Sequence, residues 1–374
     1  MLPRKSTITK WLMFVLILGG MLYTVINNNA SPVNKEIEIR KLLEYAKDPI
    51  INKPPKGEKD LENHSGKVYS SINSSAGHEN QPNPLTLTPP VNPHNFKYMI
   101  KPKYQCDDSV FLVVYVHSHP DYYKRRILIR QTWGNPKNYK EKIRVIFIMG
   151  KGLKQKVQDS LMFESETYGD IVQEDFIDSY KNLTYKGIAG LKWVSENCAH
   201  TKYTLKTDDD IFVNMFNLLR HLKSISMHDL GRTKLVLCLT WHAMKVLRDK
   251  NSKWYIAKEE FEPDHFPPYC SGSAFIFSTD VVKDMFEISL TIKFFWVDDY
   301  YITGALVNKL GLNHTQFISV YSLQKPKFEE NFSGPKGDLY IFAHTHEADK
   351  IRKVWKRIIS KEGKSMKSDY LLSS

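Results

Sequence analysis

Residues 109–118, SVFLVVYVHS, are almost wholly β-branched, aliphatic or aromatic, with no alternation of apolar and polar positions. Successive side chains of a strand point to opposite faces, so a run apolar on both faces must be covered on both. That is the habit of a strand inside a sheet flanked by helices. The rest of the region keeps that alternation. A basic helical stretch, DYYKRRILIRQTWG (121–134), leads to a second apolar strand, IRVIFIMG (143–150). An amphipathic segment around 153–168 precedes a short strand, DIVQEDF, and a helix over roughly 180–197. KYTLKT (202–207) reads as the next strand, and MFNLLRHLKSI as a helix with Asn214 at its N-cap. Strands alternating with helices predict an α/β domain with a mainly parallel central sheet, whose ligands gather at the carboxyl ends of the strands.

That domain occupies residues 105–374. Residues 27–104 hold ten of the eighteen prolines and Ser/Asn clusters such as SINSSAGHENQPNP, a composition suited to an extended spacer. Before it, WLMFVLILGGMLYTVI (11–26) carries no charge and follows a short basic tail, residues 1–10. A signal anchor with the tail cytosolic and the rest lumenal is the expectation, with a cleaved signal peptide as the rival. Sequons at Asn29, Asn63, Asn73, Asn182, Asn313 and Asn331 agree with a lumenal chain. So do four cysteines, Cys106, Cys198, Cys238 and Cys270, spaced like no zinc site and suited to one or two disulfides of open pairing. The formal charge of +12 divides as +3 over residues 1–26, +3 over 27–104 and +6 over the remainder. No long basic run appears, which weakens a nucleic-acid reading: a mildly basic domain with an anionic small ligand explains the charge as well as nucleic acid does.

The acidic triplet Asp208, Asp209 and Asp210 closes the strand KYTLKT. On an extended chain residues i and i+2 share a face, so Asp208 and Asp210 can hold a hard cation such as Mn²⁺ or Mg²⁺ while Asp209 turns away. The plain alternative is a turn whose aspartates cap the following helix.

The neighbours favour the first reading. RRILIRQTWG (125–134), EDFIDSYKNLTYKGIAGLKWVSENC (174–198), KYTLKTDDDIFVN (202–214), SKWYIAKEEFEPDHFPPYCSGSAFIFS (252–278) and WVDDYYITGALVNKLGL (296–312) follow one another in order. Together they resemble the β1,3-glycosyltransferase family of β1,3-galactosyltransferases, β1,3-N-acetylglucosaminyltransferases and fringe-like enzymes. The likeness covers residues 105–356, and the tail, anchor and spacer are similar to the family's as well. It implies a GT-A fold, a UDP-sugar donor with Mn²⁺ or Mg²⁺, and inverting single displacement onto an acceptor glycan of a glycoprotein or glycolipid. It also implies a single-pass type II protein of the Golgi membrane, and it leaves room for a homodimer.

By matching positions, the resemblance makes Asp210 a metal ligand, with Asp208 on the metal or the ribose and Asp209 on the donor side or a structural partner. Asp299 becomes the base. Asp298 is the alternative, because the family more often carries Glu-Asp-Val-Tyr and this chain has one extra residue before the glycine. The same matching puts Arg126, Arg130 and Trp133 at the UDP end, and Asp178 and Lys186 in the nucleotide pocket. Tyr269, Ser271 and Gly272 shape the donor-sugar site, and His344, eleven residues before Trp355, joins the metal or diphosphate site. Plainer readings stand beside these. They are an exposed amphipathic helix for the arginines (preferred for Arg125), a surface ion pair for Lys186, a turn before AFIFS, and a helix N-terminus for Asp298 and Asp299. Galactose is the expected sugar, with N-acetylglucosaminyl or N-acetylgalactosaminyl transfer as the alternatives. A catalytically silent lectin-like membrane protein and a lumenal phosphohydrolase are the rivals from other classes.

Overall fold

The computed structural model describes residues 91–372, apart from 228–232, 318–319 and 335–336, and all of these lie in the compact unit Thr86–Ser374. The anchor at 11–26 and the sequons at Asn29, Asn63 and Asn73 therefore lie outside the described residues. Among those described, no helix is long and apolar enough to cross a membrane.

In chain order the elements are β1 (Tyr98–Ile100), β2 (Val110–His117), α1 (Tyr123–Gln131), β3 (Lys142–Lys151), α2 (Gln155–Tyr168), β4 (Ile171–Ile177) and α3 (Leu183–Asn197). Then come β5 (Tyr203–Asp208), β6 (Ile211–Val213), α4 (Met215–Ser226), β7 (Val236–Trp241), β8 (Tyr269–Ser278) and α5 (Val282–Ser289). A continuous helical stretch follows, made of α6 (Asp298–Tyr300), a π-helical segment (Tyr301–Leu306) and α7 (Val307–Lys309). The chain ends with β9 (His314–Gln316), β10 (Tyr321–Ser322), α8 (Phe328–Ser333), β11 (Phe342–His344) and α9 (Ala348–Leu372).

Eight strands form one sheet in the order β1-β4-β3-β2-β5-β8-β7-β9. The β4-β3-β2-β5 half is parallel, but β8 pairs antiparallel with both β5 and β7, and β1 is antiparallel to β4. β7 and β9 are again parallel, so four of the seven pairings are parallel and the sheet is mainly parallel as expected, with β8 and β1 as its reversed strands. Strand spacing along the sequence does not reveal direction once β7 and β8 are joined by a long loop instead of a helix.

The doubly apolar strand explains the layers. Leu112, Val114 and Val116 of β2 enter one core with Leu128, Trp133 and Trp355, while Val113 and Tyr115 enter a second with Ile188, Trp193 and Met285. The sheet is therefore covered on both faces. Asn214 caps α4 as expected, its side chain accepting from the Asn217 N–H.

Two sequence expectations shift here. The spacer assigned to 27–104 loses its last part: Asn92 and His94 are buried, His94 meets Glu174 at 2.7 Å, and β1 adds an edge strand beside β4. A three-residue strand among prolines leaves no periodicity to read. The turn offered as the plain reading before AFIFS is absent, because β8 runs unbroken from Tyr269 through Gly272 to Ser278. The four cysteines pair as Cys106–Cys198 and Cys238–Cys270.

Candidate active site

Strand register brings the aspartates to a crevice. β2 and β5 lie parallel with His117 opposite Asp208, so both end at the same carboxyl edge. β5 stops at Asp208, and Asp209 and Asp210 form a turn into β6. β6 pairs antiparallel with β11, which sets His344 opposite Ile211 and next to that turn. From the other side β8 passes the end of β5, with Ala274 opposite Thr207, and delivers Gly272 and Ser271 beyond it. This is the strand-end position at which α/β sheets collect ligands.

The three aspartates have different partners. Asp209 accepts from Ser118 Oγ and from Arg125 Nη1, both at 2.7 Å, and its side chain is nearly covered. Asp210 Oδ2 lies 3.0 Å from His344 Nε2 and 4.0 Å from Arg125. Burial pushes the Asp210 carboxyl up, but the hydrogen bond and charge of His344 with the charge of Arg125 hold it below the ordinary aspartate value. Asp208 Oδ1 accepts from Lys206 Nζ at 2.8 Å and keeps 37 % of its side chain exposed. Burial, with Asp210 and Asp299 nearby, pushes it up to about 6 against the pull of Lys206. Because 209 and 210 form a turn, strand alternation does not govern the triplet. Asp209 is set apart by its own hydrogen bonds.

Across the crevice, Asp299 Oδ2 accepts from the Gly272 N–H at 3.2 Å. A Cβ on Gly272 would stand 2.7 Å from Asp299 Cγ, so only glycine admits the carboxylate here. Asp298 is more deeply buried. Burial first, and then the charge of Asp299, drives its carboxyl well above the usual range. Both acids line a cavity of about 410 Å³ walled by Trp254, Tyr269 and Trp296, with Tyr180 and Leu183 also lining it.

Several expected ligand contacts are already committed to the protein. Arg126 is fully buried, and its donors go to Glu164, Ser118 Oγ and the carbonyls of His119 and Pro120. Arg130 is engaged with Asp170 and Glu164, and Trp133 sits in the core. All five donors of Arg126 are used, which leaves none for a phosphate and contradicts a UDP-end role for that residue; Arg130 gives three of its five donors to Asp170 and Glu164, and Trp133 is 1 % exposed. Arg126 reaches the crevice only indirectly, through Ser118 Oγ, which it shares with Asp209. Lys186 and Asp178 form a buried pair at 2.9 Å, not a surface one. With Ser118 O and the Gly150 N–H they tie the ends of β2 and β3 to α3.

Ser271 is buried, its Oγ 2.9 Å from Ser273 Oγ. The Asn182 amide donates to Ile177 O at 2.8 Å. Two residues that the sequence reading left out stand at the centre. Arg125, read as an exposed helix residue, grips Asp209. Lys206, within the quoted KTDDD, is 1 % exposed and touches both sides of the crevice. Its signal was the one charged residue inside a strand, YTLKT, that is otherwise uncharged up to Asp208, a position that demands an anionic partner when buried.

Residues 124–317 match the sequence model of the family described as "Galactosyltransferase". Human "Beta-1,3-galactosyltransferase 1" is 36% identical over 233 residues, spanning 61% of this chain and 70% of that protein. Mouse "Beta-1,3-galactosyltransferase 2" is 30% identical over 272 residues, spanning 71% of this chain and 63% of that protein. The chain belongs to the galactosyltransferase family, as the five ordered motifs implied. It is accordingly a hexosyltransferase.

Proposed function

We propose that the chain transfers galactose from UDP-galactose in β1,3 linkage to an acceptor glycan, by inverting single displacement in a GT-A type site. The observation that carries this reading is the pairing of a free-edged carboxylate, Asp299, with an aromatic-walled cavity across from the Asp208–Asp210 turn. The acceptor sugar lies in that cavity, its apolar ring face against Trp254 and Tyr269. Asp299 takes the proton of the attacking hydroxyl as the new C–O bond forms, and the sugar–phosphate bond breaks to release UDP. Asp298 is the more deeply buried of the pair, and burial with the charge of Asp299 raises its carboxyl well above the usual range, which disfavours a second negative charge beside the base.

Asp210 and His344 suit a divalent cation. Their 3.0 Å separation is close to the roughly 3 Å between adjacent ligands of an octahedral ion with bonds of about 2.1 Å. Among the described residues no group of three His, Cys, Asp or Glu converges as a ready-made metal site, so diphosphate oxygens would supply further ligands. When bound, such an ion neutralises charge on the departing diphosphate. Asp208, tied to Lys206 through one oxygen, is left its second oxygen for ion or ribose. The apolar run at 11–26, the sequons and the two disulfides support a single-pass type II protein of the Golgi membrane with this unit in the lumen.

The test uses the full chain with a panel of UDP-sugars and β-linked acceptors. UDP-galactose should be the preferred donor, and a chelator or Asp210→Ala should abolish transfer. Asp299→Asn should lose about 10²-fold to 10⁴-fold in kcat while still binding UDP. Chelator-insensitive transfer sinks the metal role. A dead Asp298→Asn beside an active Asp299→Asn moves the base by one residue.

A further inference from the structure

The two sides of the crevice are joined by one buried side chain. Lys206 Nζ donates to Asp208 Oδ1 at 2.8 Å and to the Gly272 carbonyl at 2.6 Å, and it stands 4.0 Å from Asp298 Oδ2. The other end of residue Gly272, its N–H, holds Asp299 Oδ2. A chain of contacts therefore runs from the turn at Asp208 through Lys206 and Gly272 to Asp299. No other cation is bonded to Asp208 or Asp298 among the described residues, His117 at 3.9 Å from Asp208 being neutral by burial. Asp299 has no cationic partner within ion-pair distance among them; its carboxylate is held by the Gly272 N–H and by a hydrogen bond with the neighbouring Asp298 carboxyl.

We propose that Lys206 is a positioning residue for the reaction: by fixing the Gly272 carbonyl against Asp208 it holds residue 272 in place, and the Gly272 N–H, one Cα away on the preceding peptide, sets the direction in which Asp299 presents its carboxylate to the acceptor hydroxyl. This rests on the reading of Asp299 as the base. Lys206 never touches the acceptor, and its effect passes through the backbone of Gly272, from its carbonyl to its N–H. A neutral replacement frees both the carbonyl and the Asp208 oxygen. An arginine keeps the charge, but its planar fork cannot place one nitrogen between the two acceptors as an ammonium does.

A double-mutant cycle in the full chain separates the two possibilities, because residues acting through one step are not additive whereas independent structural effects are. Lys206→Met, Lys206→Arg, Asp299→Asn and the two pairs are assayed for kcat, acceptor KM and UDP binding, with thermal midpoints recorded. Each Lys206 variant should lose about 30-fold or more in kcat with acceptor KM changed less than about threefold. Each pair should be no slower than Asp299→Asn alone, read from its residual rate. Multiplying losses in the pairs, or wild-type kcat in a folded Lys206→Met or Lys206→Arg, overturn the role of Lys206. If the methionine variant does not fold, the arginine variant, which keeps the buried charge balanced, supplies the deciding measurement. Full activity in Asp299→Asn removes the base assignment itself and is seen in that arm independently.

Discussion

Both ring nitrogens of His117 are buried without a hydrogen-bond partner, beside Asp208 at the end of β2. Burial first, and then the charges of Lys206 and Lys186, keep the imidazole neutral well below its ordinary 6.5. The unfolded chain takes up that proton near 6.5 and the native chain does not. Below 6.5 the unfolded state binds more protons, so stability falls as pH drops, by at most about 1.4 kcal/mol per pH unit for one proton. Above 6.5 His117 contributes no slope. Asp208, pushed up to about 6, works with the opposite sign below that value, so the comparison between variants carries the test. Thermal midpoints between pH 7.5 and 5.5 should fall less steeply in His117→Gln than in the natural chain, and parallel curves would refute the assignment. At this scale the sequence exposed residue type but not direction. The aspartates, Gly272 and Asp299 were legible as motif members, because their chemistry is tied to their order. Arg125 and Arg126 are adjacent and alike, and only the helix phase of α1 decides which one meets Asp209 and which one meets Glu164.

The long strands and helices of the sheet were readable because each carries several turns or pleats of one period. β2, β3 and α3 lie within a few residues of where their patterns put them. Three-residue strands such as β6 and β11 were not, since three residues contain no period, yet they set His344 beside Asp210. The stretch between β7 and β8 was equally silent. Its order comes from Arg248, whose guanidinium donates to the carbonyls of Ile256, Ala257, Phe261, Glu262 and Pro263. That one side chain holds the segment carrying Trp254, a wall of the cavity over Asp299. If the cavity takes the acceptor as proposed, Arg248→Ala should raise acceptor KM about tenfold or more while leaving UDP affinity within about twofold. An unchanged acceptor KM would show that the loop keeps its shape by other means.

Over the whole molecule, the three described sequons stand in different settings. Asn313 is exposed between α7 and β9. The Asn331 amide donates to Ser322 Oγ at 2.7 Å, and the Asn182 amide donates to Ile177 O beside Tyr180 and Leu183, which line the cavity at Asp298 and Asp299. A glycan on Asn182 would stand at the mouth of that cavity. When the full chain is made in a eukaryotic secretory pathway, glycopeptide mapping should find Asn313 occupied and Asn182 and Asn331 bare. Sugar on either of the latter, or none on Asn313, contradicts this.

The Cys238–Cys270 bridge encloses the Arg248 loop, joining residues 32 apart at the close of β7 and the opening of β8. Closing a loop of that length removes about 3–4 kcal/mol of chain entropy from the unfolded ensemble. It also anchors the strand that leads directly into Gly272. With that bridge reduced, the loop carrying Trp254 would lose its covalent tether to the sheet. The shape of the cavity beside Asp299 is thereby linked to the redox state of one cysteine pair.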